Sequence, residues 1–290
     1  MKNPKNWLIG ARPKTLPAAI APVFVGTALI RVDHKAINWL NALLALAVSL
    51  LLQIAVNYSN DYSDGVRGSD SDRVGPTRLV ASGLVSAPGV KKMAYLTFFA
   101  ASICGFLLAL RTSPWLILVG IISILAAWNY TGGKSPYGYK GFGEVSVFIF
   151  FGLVATMGSY FAQSKEITLK SFLAAIPMGA LACIILAINN LRDLPKDQLV
   201  NKKTVAVRLG DHRARLALVG LLVVAQLSSL TLAFISPLAL LTLVALPFTV
   251  AIGKLVMAGA KGAELIPLLG KAGKLQLISA LLITLALATK

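Results

Sequence analysis

The sequence is poor in charge, and poorest in acid. Only 13% of its 290 residues are Asp, Glu, Lys or Arg, where a soluble domain carries about a quarter. With 57% hydrophobic residues and a mean hydropathy of +0.76, that shortage excludes a water-soluble globular protein and points to an integral membrane protein. Cysteine is nearly absent. Cys104 and Cys183 lie far apart in apolar segments, which excludes a disulfide framework or a cysteine-based metal site. Both read as small buried hydrophobes. Histidine is limited to His34 and His212, each alone in a loop, and neither is assigned a site. No cleavable signal peptide is expected either. The start, "MKNPKNWLIGARPKTLP", is basic but lacks a long apolar region and a small-residue cleavage site.

Long hydrophobic runs are what the chain does have. A hydrocarbon core of ~30 Å needs about 20 apolar residues per helix. Nine stretches qualify, at roughly 15–31, 37–58, 90–110, 114–131, 144–163, 172–190, 214–235, 237–257 and 274–289. They predict an all-α integral membrane protein, one transmembrane domain over 1–290. Glycines at 26, 105, 120, 152 and 179 are expected to let helices approach closely.

The formal charge is +17, from 28 Lys and Arg against 11 Asp and Glu. Such an excess suits nucleic acid, but basic loops that orient membrane spans explain it better, and no nucleic-acid partner is expected. With the N-terminus in the cytoplasm, only Arg31, Lys35, Arg111, Lys165, Lys170 and Lys290 fall on the opposite face. That asymmetry predicts the cytoplasmic orientation of the N-terminus.

The scarce acids are not scattered. Seven of the eleven fall in two segments on the cytoplasmic side. The first is "NYSNDYSDGVRGSDSDRVG", where Asn57, Asn60, Asp61 and Asp64 stand at i, i+3, i+4 and i+7. The second is "AINNLRDLPKDQLVNKKTVAVRLGD", where Asn189, Asp193 and Asp197 stand at i, i+4 and i+8. Both spacings place the set on one helix face. The segments lie four helices apart, which suggests an internal repeat. Two carboxylates ~4 Å apart repel by about 4 kcal/mol at an effective dielectric of ~20, so a bound cation is expected. Carboxylate and amide oxygens without His or Cys suit Mg²⁺ before Zn²⁺, and Mg²⁺ is commonly held together with substrate phosphates. Arg73, Arg78, Arg192, Lys202, Lys203 and Arg208, beside the acids, suit the same polyanion. Asp70, Asp72 and Asp211, farther along, read as solvated loop charges.

These residues resemble the two aspartate-rich motifs of the UbiA superfamily of membrane prenyltransferases. The likeness is closer to its 1,4-dihydroxy-2-naphthoate polyprenyltransferase branch. "ARPKTLPAAIAPVFVG", "RVGPTRLVASG", "YTGGKSPYGYKGFGEVSVFIFFG" and "KKTVAVRLG" support that branch, and the likeness runs from the N-terminus to about Gly210. The resemblance implies a nine-helix bundle around a central cavity capped by the two cytoplasmic loops. It implies Mg²⁺, two ions in this reading, with a polyprenyl diphosphate and an aromatic acid acceptor as substrates in the cell membrane. It assigns Asn60, Asp61 and Asp64 to the first metal motif and Asp193 and Asp197, with Asn189, to the second. The four aspartates are the expected catalytic residues. Asn57, Asn60, Arg73, Arg78, Lys134, Asn190, Lys203 and Arg208 are the expected diphosphate contacts. The wider superfamily often has aspartate where this chain has Asn189 or Asn190.

The acceptor stays open among a naphthoate, a benzoate and homogentisate, because chemistry at the acids is shared. Intramembrane acids and repeated halves are also transporter traits, but transporter sites lie near the bilayer midplane. "DYSDG" opens like the CDP-alcohol phosphotransferase motif, yet no aspartate occurs between Asp72 and Asp193 to complete it.

Overall fold

Lipid leaves backbone N–H and C=O groups no partner but each other, so apolar runs of this length fold as helices. The protein is described here by a computed structural model covering residues 3–68 and 75–290. Every described element is helical: α1 (Pro4–Ala11), α2 (Pro17–Val32), α3 (Trp39–Val66), α4 (Ala87–Arg111) and α5 (Trp115–Asn129). They are followed by α6 (Gly143–Val147), a π-helical stretch (Phe148–Val154), α7 (Ala155–Ser164) and α8 (Leu169–Leu199). The chain ends in α9 (Val205–Thr231), a 3-10 segment (Pro237–Ala245), α10 (Leu246–Met257) and α11 (Leu265–Ala288).

All nine expected stretches are helical. Among the described residues seven runs are long and apolar enough to cross a bilayer. An eighth is the bent pair Pro4–Thr15 and Pro17–Val32, whose axes differ by 56°. The remaining helix, α5, has only 15 residues, short of the ~20 a span needs, so the count of nine is approximate.

Local sequence explains where the helices begin. The Asn38 side chain accepts from the Asn41 N–H at the start of α3. Thr168 and Ser171 form a reciprocal capping box on α8. The bend between α1 and α2 falls at Arg12, whose φ of 52° is left-handed and whose successor is Pro13. Gly210, with φ 75°, breaks α9 just after Arg208.

The core sits around α8, the most buried of the candidate spans. Close backbone crossings set its neighbours. A Cβ on Gly152 would stand 2.6 Å from the Gly179 Cα, so the π-helical stretch and α8 meet backbone to backbone. A Cβ on Gly26 would stand 2.2 Å from the Thr156 carbonyl oxygen, fixing α2 on α7. Gly105 and Gly120 behave differently from the sequence expectation. Neither is crowded, and both line the central cavity.

The bundle has two chemically distinct ends. At one, Asp33 accepts from Lys170 and from the Tyr160 hydroxyl (2.5 Å), and Lys35 pairs with Glu166 at 3.4 Å. At the other, the two acid-rich segments come together.

Replacement of Gly26 by Leu should abolish the folded bundle, because overpacking against a rigid backbone carbonyl leaves nothing to yield. Gly220→Ala, where no atom lies within 4 Å, should leave the melting temperature in detergent unchanged or slightly raised. A Gly26→Leu protein that melts like the parent would refute the close crossing.

Candidate active site

A cavity of about 320 Å³ runs between α2, α3, α4, α5, the π-helical stretch and α8. Its deep wall is apolar, with Val48, Leu52, Leu108, Leu116, Phe150 and Phe151. Its other end carries Arg12, Asn57, Asn60, Asp64, Arg78, Asn189, Asn190, Asp193 and Lys202. One cavity thus joins a hydrocarbon-like compartment to a cluster of ions and amides, the shape that an amphiphile with a charged head requires.

The first acidic segment divides between two directions. Asn57, Asn60 and Asp64 line the cavity. The Asn57 amide donates to the Ala11 carbonyl (2.9 Å) and to Thr15 Oγ1 (3.1 Å), which ties α3 to the bend before α2. Asn60 Oδ1 accepts from Thr131 Oγ1 at 2.7 Å. Asp64 Oδ1 accepts from the Tyr139 hydroxyl at 2.6 Å, and Arg78 stands 3.8 Å from Oδ2. Asp61 is not on the cavity, against the sequence expectation. It is 0% exposed, and its oxygens accept the backbone N–H groups of Leu79 (2.8 Å) and Val80 (3.0 Å). Consecutive residues sit about 100° apart around a helix, so Asp61 is turned from Asn60 toward the returning loop.

The second segment divides in the same way. Asn189, Asn190 and Asp193 line the cavity, and Asp197 does not. Arg192, fully buried beneath Gly75, grips Asp193 through two bonds of 2.7 Å. Asp197 pairs with Lys202 at 3.6 Å.

The loop between α5 and α6 ties these halves together. Tyr139 donates to Asp64, and the Lys202 ammonium lies 5.0 Å above its ring. The Tyr139 carbonyl accepts the Lys203 N–H at 2.8 Å. Arg208 donates to the Lys140 carbonyl at 2.7 Å. Lys203 and Arg208 therefore hold the loop rather than line the cavity, and Lys134 is exposed on the loop's outside. Of the other expected diphosphate contacts, Arg78, Asn57, Asn60 and Asn190 face the cavity, and Arg73 lies outside the described residues.

Several cavity residues carried no signal in the acidic pattern. Arg12 and Thr15 come from the "ARPKT" bend, where an arginine before proline marks a break with a charge at the edge of an apolar run. Tyr137 donates to the Ala126 carbonyl at 2.9 Å and accepts from Ser146 at 2.8 Å. Its burial holds the phenol above its usual pKa, so it stays a neutral donor.

Among the described residues no three His, Cys, Asp or Glu stand together as a ready-made metal cage. The donors at the polar end are carboxylate and amide oxygens, with no His or Cys lining the cavity. That set fits a hard divalent cation bound by one or two carboxylates and completed by a ligand's phosphates.

A helical bundle with membrane-spanning runs, holding a cavity that is apolar at one end and ionic at the other, has the architecture of an intramembrane enzyme. The chain belongs to the UbiA prenyltransferase family, whose model matches residues 19–263. It is 48% identical to the 1,4-dihydroxy-2-naphthoate octaprenyltransferase of Mycobacterium tuberculosis over 98% of this chain and 97% of that protein. The protein of the same name from Haemophilus influenzae is 37% identical over 98% of this chain and 96% of its own. The likeness thus continues past Gly210, where the recognisable motifs stop. In fold, the chain resembles a UbiA homolog from Aeropyrum pernix K1 (TM-score 0.71, 15% identity, 94% and 97% of the two chains). It also resembles a UbiA homolog from Archaeoglobus fulgidus bound to GPP and Mg²⁺ (TM-score 0.66, 15% identity, 98% and 100%).

Asp61→Ala should free the loop after α3. Losing a charged acceptor is worth ~1.5–3 kcal/mol, so amide exchange at Leu79 and Val80 should quicken by about tenfold or more. Asp193→Asn should leave those two amides protected. Unchanged exchange in Asp61→Ala would remove the anchoring role.

Proposed function

We propose that this protein transfers a polyprenyl group from polyprenyl diphosphate to 1,4-dihydroxy-2-naphthoate, releasing diphosphate and CO₂. The product is demethylmenaquinone, formed at the quinol level, and the step belongs to menaquinone biosynthesis. The observation that carries this reading is the 48% identity, over nearly the full length of both chains, to a protein named for that acceptor. The cavity supports it, because its two compartments suit the two parts of a prenyl diphosphate.

In this reading the diphosphate lies at the polar end. Arg78, Lys202 and Arg12 give charge-assisted hydrogen bonds to its oxygens. Asn57 and Asn60 add neutral contacts, and Asn190 faces the metal–diphosphate head group. Asp64 and Asp193, with Asn60 and Asn189, hold Mg²⁺, in two ions, and Asp61 and Asp197 fix the segments that carry them. When bound, Mg²⁺ neutralises the charge that grows on the leaving diphosphate. The deep apolar wall keeps water from the allylic carbon, and the faces of Phe150 and Phe151 favour positive charge there. The allylic C–O bond breaks, a bond forms to the electron-rich ring, and the acceptor loses its carboxylate. The hydrocarbon tail leaves sideways between helices into lipid. The whole chain acts as one domain in the cell membrane, with the N-terminus and both acid-rich loops in the cytoplasm.

A transporter is disfavoured by position. Asp64 lies in the last turn of α3, and Asp193 lies toward the end of α8 rather than at its middle.

Membranes containing the protein, given Mg²⁺ and a polyprenyl diphosphate, should prenylate dihydroxynaphthoate. Prenylation of 4-hydroxybenzoate or homogentisate instead would overturn the acceptor assignment. Chelation of divalent metal should stop the reaction. Asp64→Ala and Asp193→Ala should each abolish turnover, with little loss of folded protein by detergent gel filtration. Activity retained by both variants would remove the metal assignment.

A further inference from the structure

Glu144 is one of four acids outside the two acid-rich segments, with Asp33, Glu166 and Glu264. It sits in the first turn of α6, packed against α8, from which Cys183 Sγ donates to the Glu144 backbone carbonyl at 3.2 Å. Its carboxylate reaches across to α8. Oε1 accepts from the Asn190 amide nitrogen at 2.9 Å. Oε2 is buried and has no hydrogen-bond partner among the described residues. Burying such a group is costly, and Asn190 is the side-chain donor that offsets part of that cost.

The value of the contact lies in what it does to Asn190, which lines the cavity. A side-chain amide can present either its NH₂ or its carbonyl oxygen to a site, and only its partners decide which. Glu144 Oε1 faces the NH₂ group as its acceptor, at 2.9 Å. The Asn190 carbonyl oxygen is then the atom offered to the cavity. A neutral partner at 144 would permit either orientation. An NH₂ turned to the cavity would oppose a metal ion, whereas the oxygen suits one.

We propose that Glu144 is a positioning residue that fixes Asn190 with its carbonyl oxygen toward the cavity, as a hard-donor contact for the metal–diphosphate head group. The proposal rests on the prenyl-transfer reading of this site. It gives Glu144 no proton to move and no contact with the reacting atoms. It also accounts for an amide at this place. An aspartate at 190 would set two acidic groups against each other, and two charged carboxylates ~4 Å apart repel by about 4 kcal/mol at a dielectric of ~20.

The test exchanges the partners. Asn190→Asp should lower the melting temperature and weaken Mg²⁺-dependent binding of a non-hydrolysable prenyl thiodiphosphate by about tenfold or more, one charge-assisted hydrogen bond's worth. Binding is read as ligand-induced thermal shift in detergent. Adding Glu144→Gln to Asn190→Asp places an amide donor at 144 and an oxygen-bearing acceptor at 190, so it should restore both stability and binding. Glu144→Gln alone should raise the half-saturating Mg²⁺ concentration while the melting temperature stays near the parent's. Recovery of stability without recovery of binding would reduce Glu144 to a packing role and overturn the proposal. So would a double variant no better than Asn190→Asp, or an Asn190→Asp protein that behaves like the parent. A parent protein showing no ligand shift would instead strike at the prenyl-transfer reading, and the proposal would fall with it.

Discussion

The hydrogen bond from Tyr139 to Asp64 is the contact on which the site's assembly turns. Tyr139 belongs to neither acid-rich segment, yet it touches the chemistry of both. Its hydroxyl meets Asp64 on α3, its ring carries Lys202, and Lys202 pairs with Asp197 on α8. Two helices remote in sequence are held in register at their polar ends by one side chain. Arg208 and the Lys203 amide then clamp the loop that presents it. A Cβ on Gly141, at φ 81°, would lie 2.8 Å from Arg208 Nε, so only glycine leaves the clamp its space.

The helices were legible because one dominant constraint sets them. In lipid, backbone groups must be satisfied within a segment, so hydropathy and length nearly suffice. The exceptions fall where that constraint is relaxed. The N-terminal helix α1 is too short to span, and its Trp7 lies edge-on to Tyr58 with its carbonyl accepting from that tyrosine's hydroxyl. The π-helical stretch reads as an ordinary helix by composition. Its wider turn shows only in three dimensions, where Gly152 meets Gly179 while Phe150 and Phe151 face the cavity. Gly105 and Gly120 illustrate the same limit. A small residue in a span marks space, but sequence does not say whether a helix or a ligand takes it.

The site was legible as a location and not as a set of roles. Clustering of scarce acids and amides at two helix ends needs only counting. Asp61 and Asp64 are alike in type and neighbourhood, yet one is turned to a returning backbone and the other to the cavity. The difference depends on the course of the loop that closes on Asp61 at Leu79 and Val80, which helical spacing within α3 does not encode. Glu144 was hidden for the opposite reason. It stands alone in its segment, and its partner Asn190 lies 46 residues away.

Charge balance connects the assembled site to the proposed chemistry. Repulsion among the acids leads to the expectation of a bound cation. The chain supplies cations of its own: Arg78 beside Asp64, Arg192 on Asp193 and Lys202 on Asp197. Removing one partner of a buried pair commonly costs ~3–5 kcal/mol, so these pairings within the chain matter to the fold as well as to the site. A diphosphate entering with its divalent cations brings both signs at once. On the proposed reading, Asp64 and Asp193 pass to the metal while Arg78 and Lys202 pass to the phosphates. The two signs of the head group thus meet the two signs of the site at the polar end, away from the low-dielectric wall beyond. Mg²⁺ or diphosphate alone would break this symmetry, leaving cations or carboxylates in excess. A site built this way favours the complete head group over either half, which suits an enzyme whose substrate resides in the membrane and whose metal comes from water.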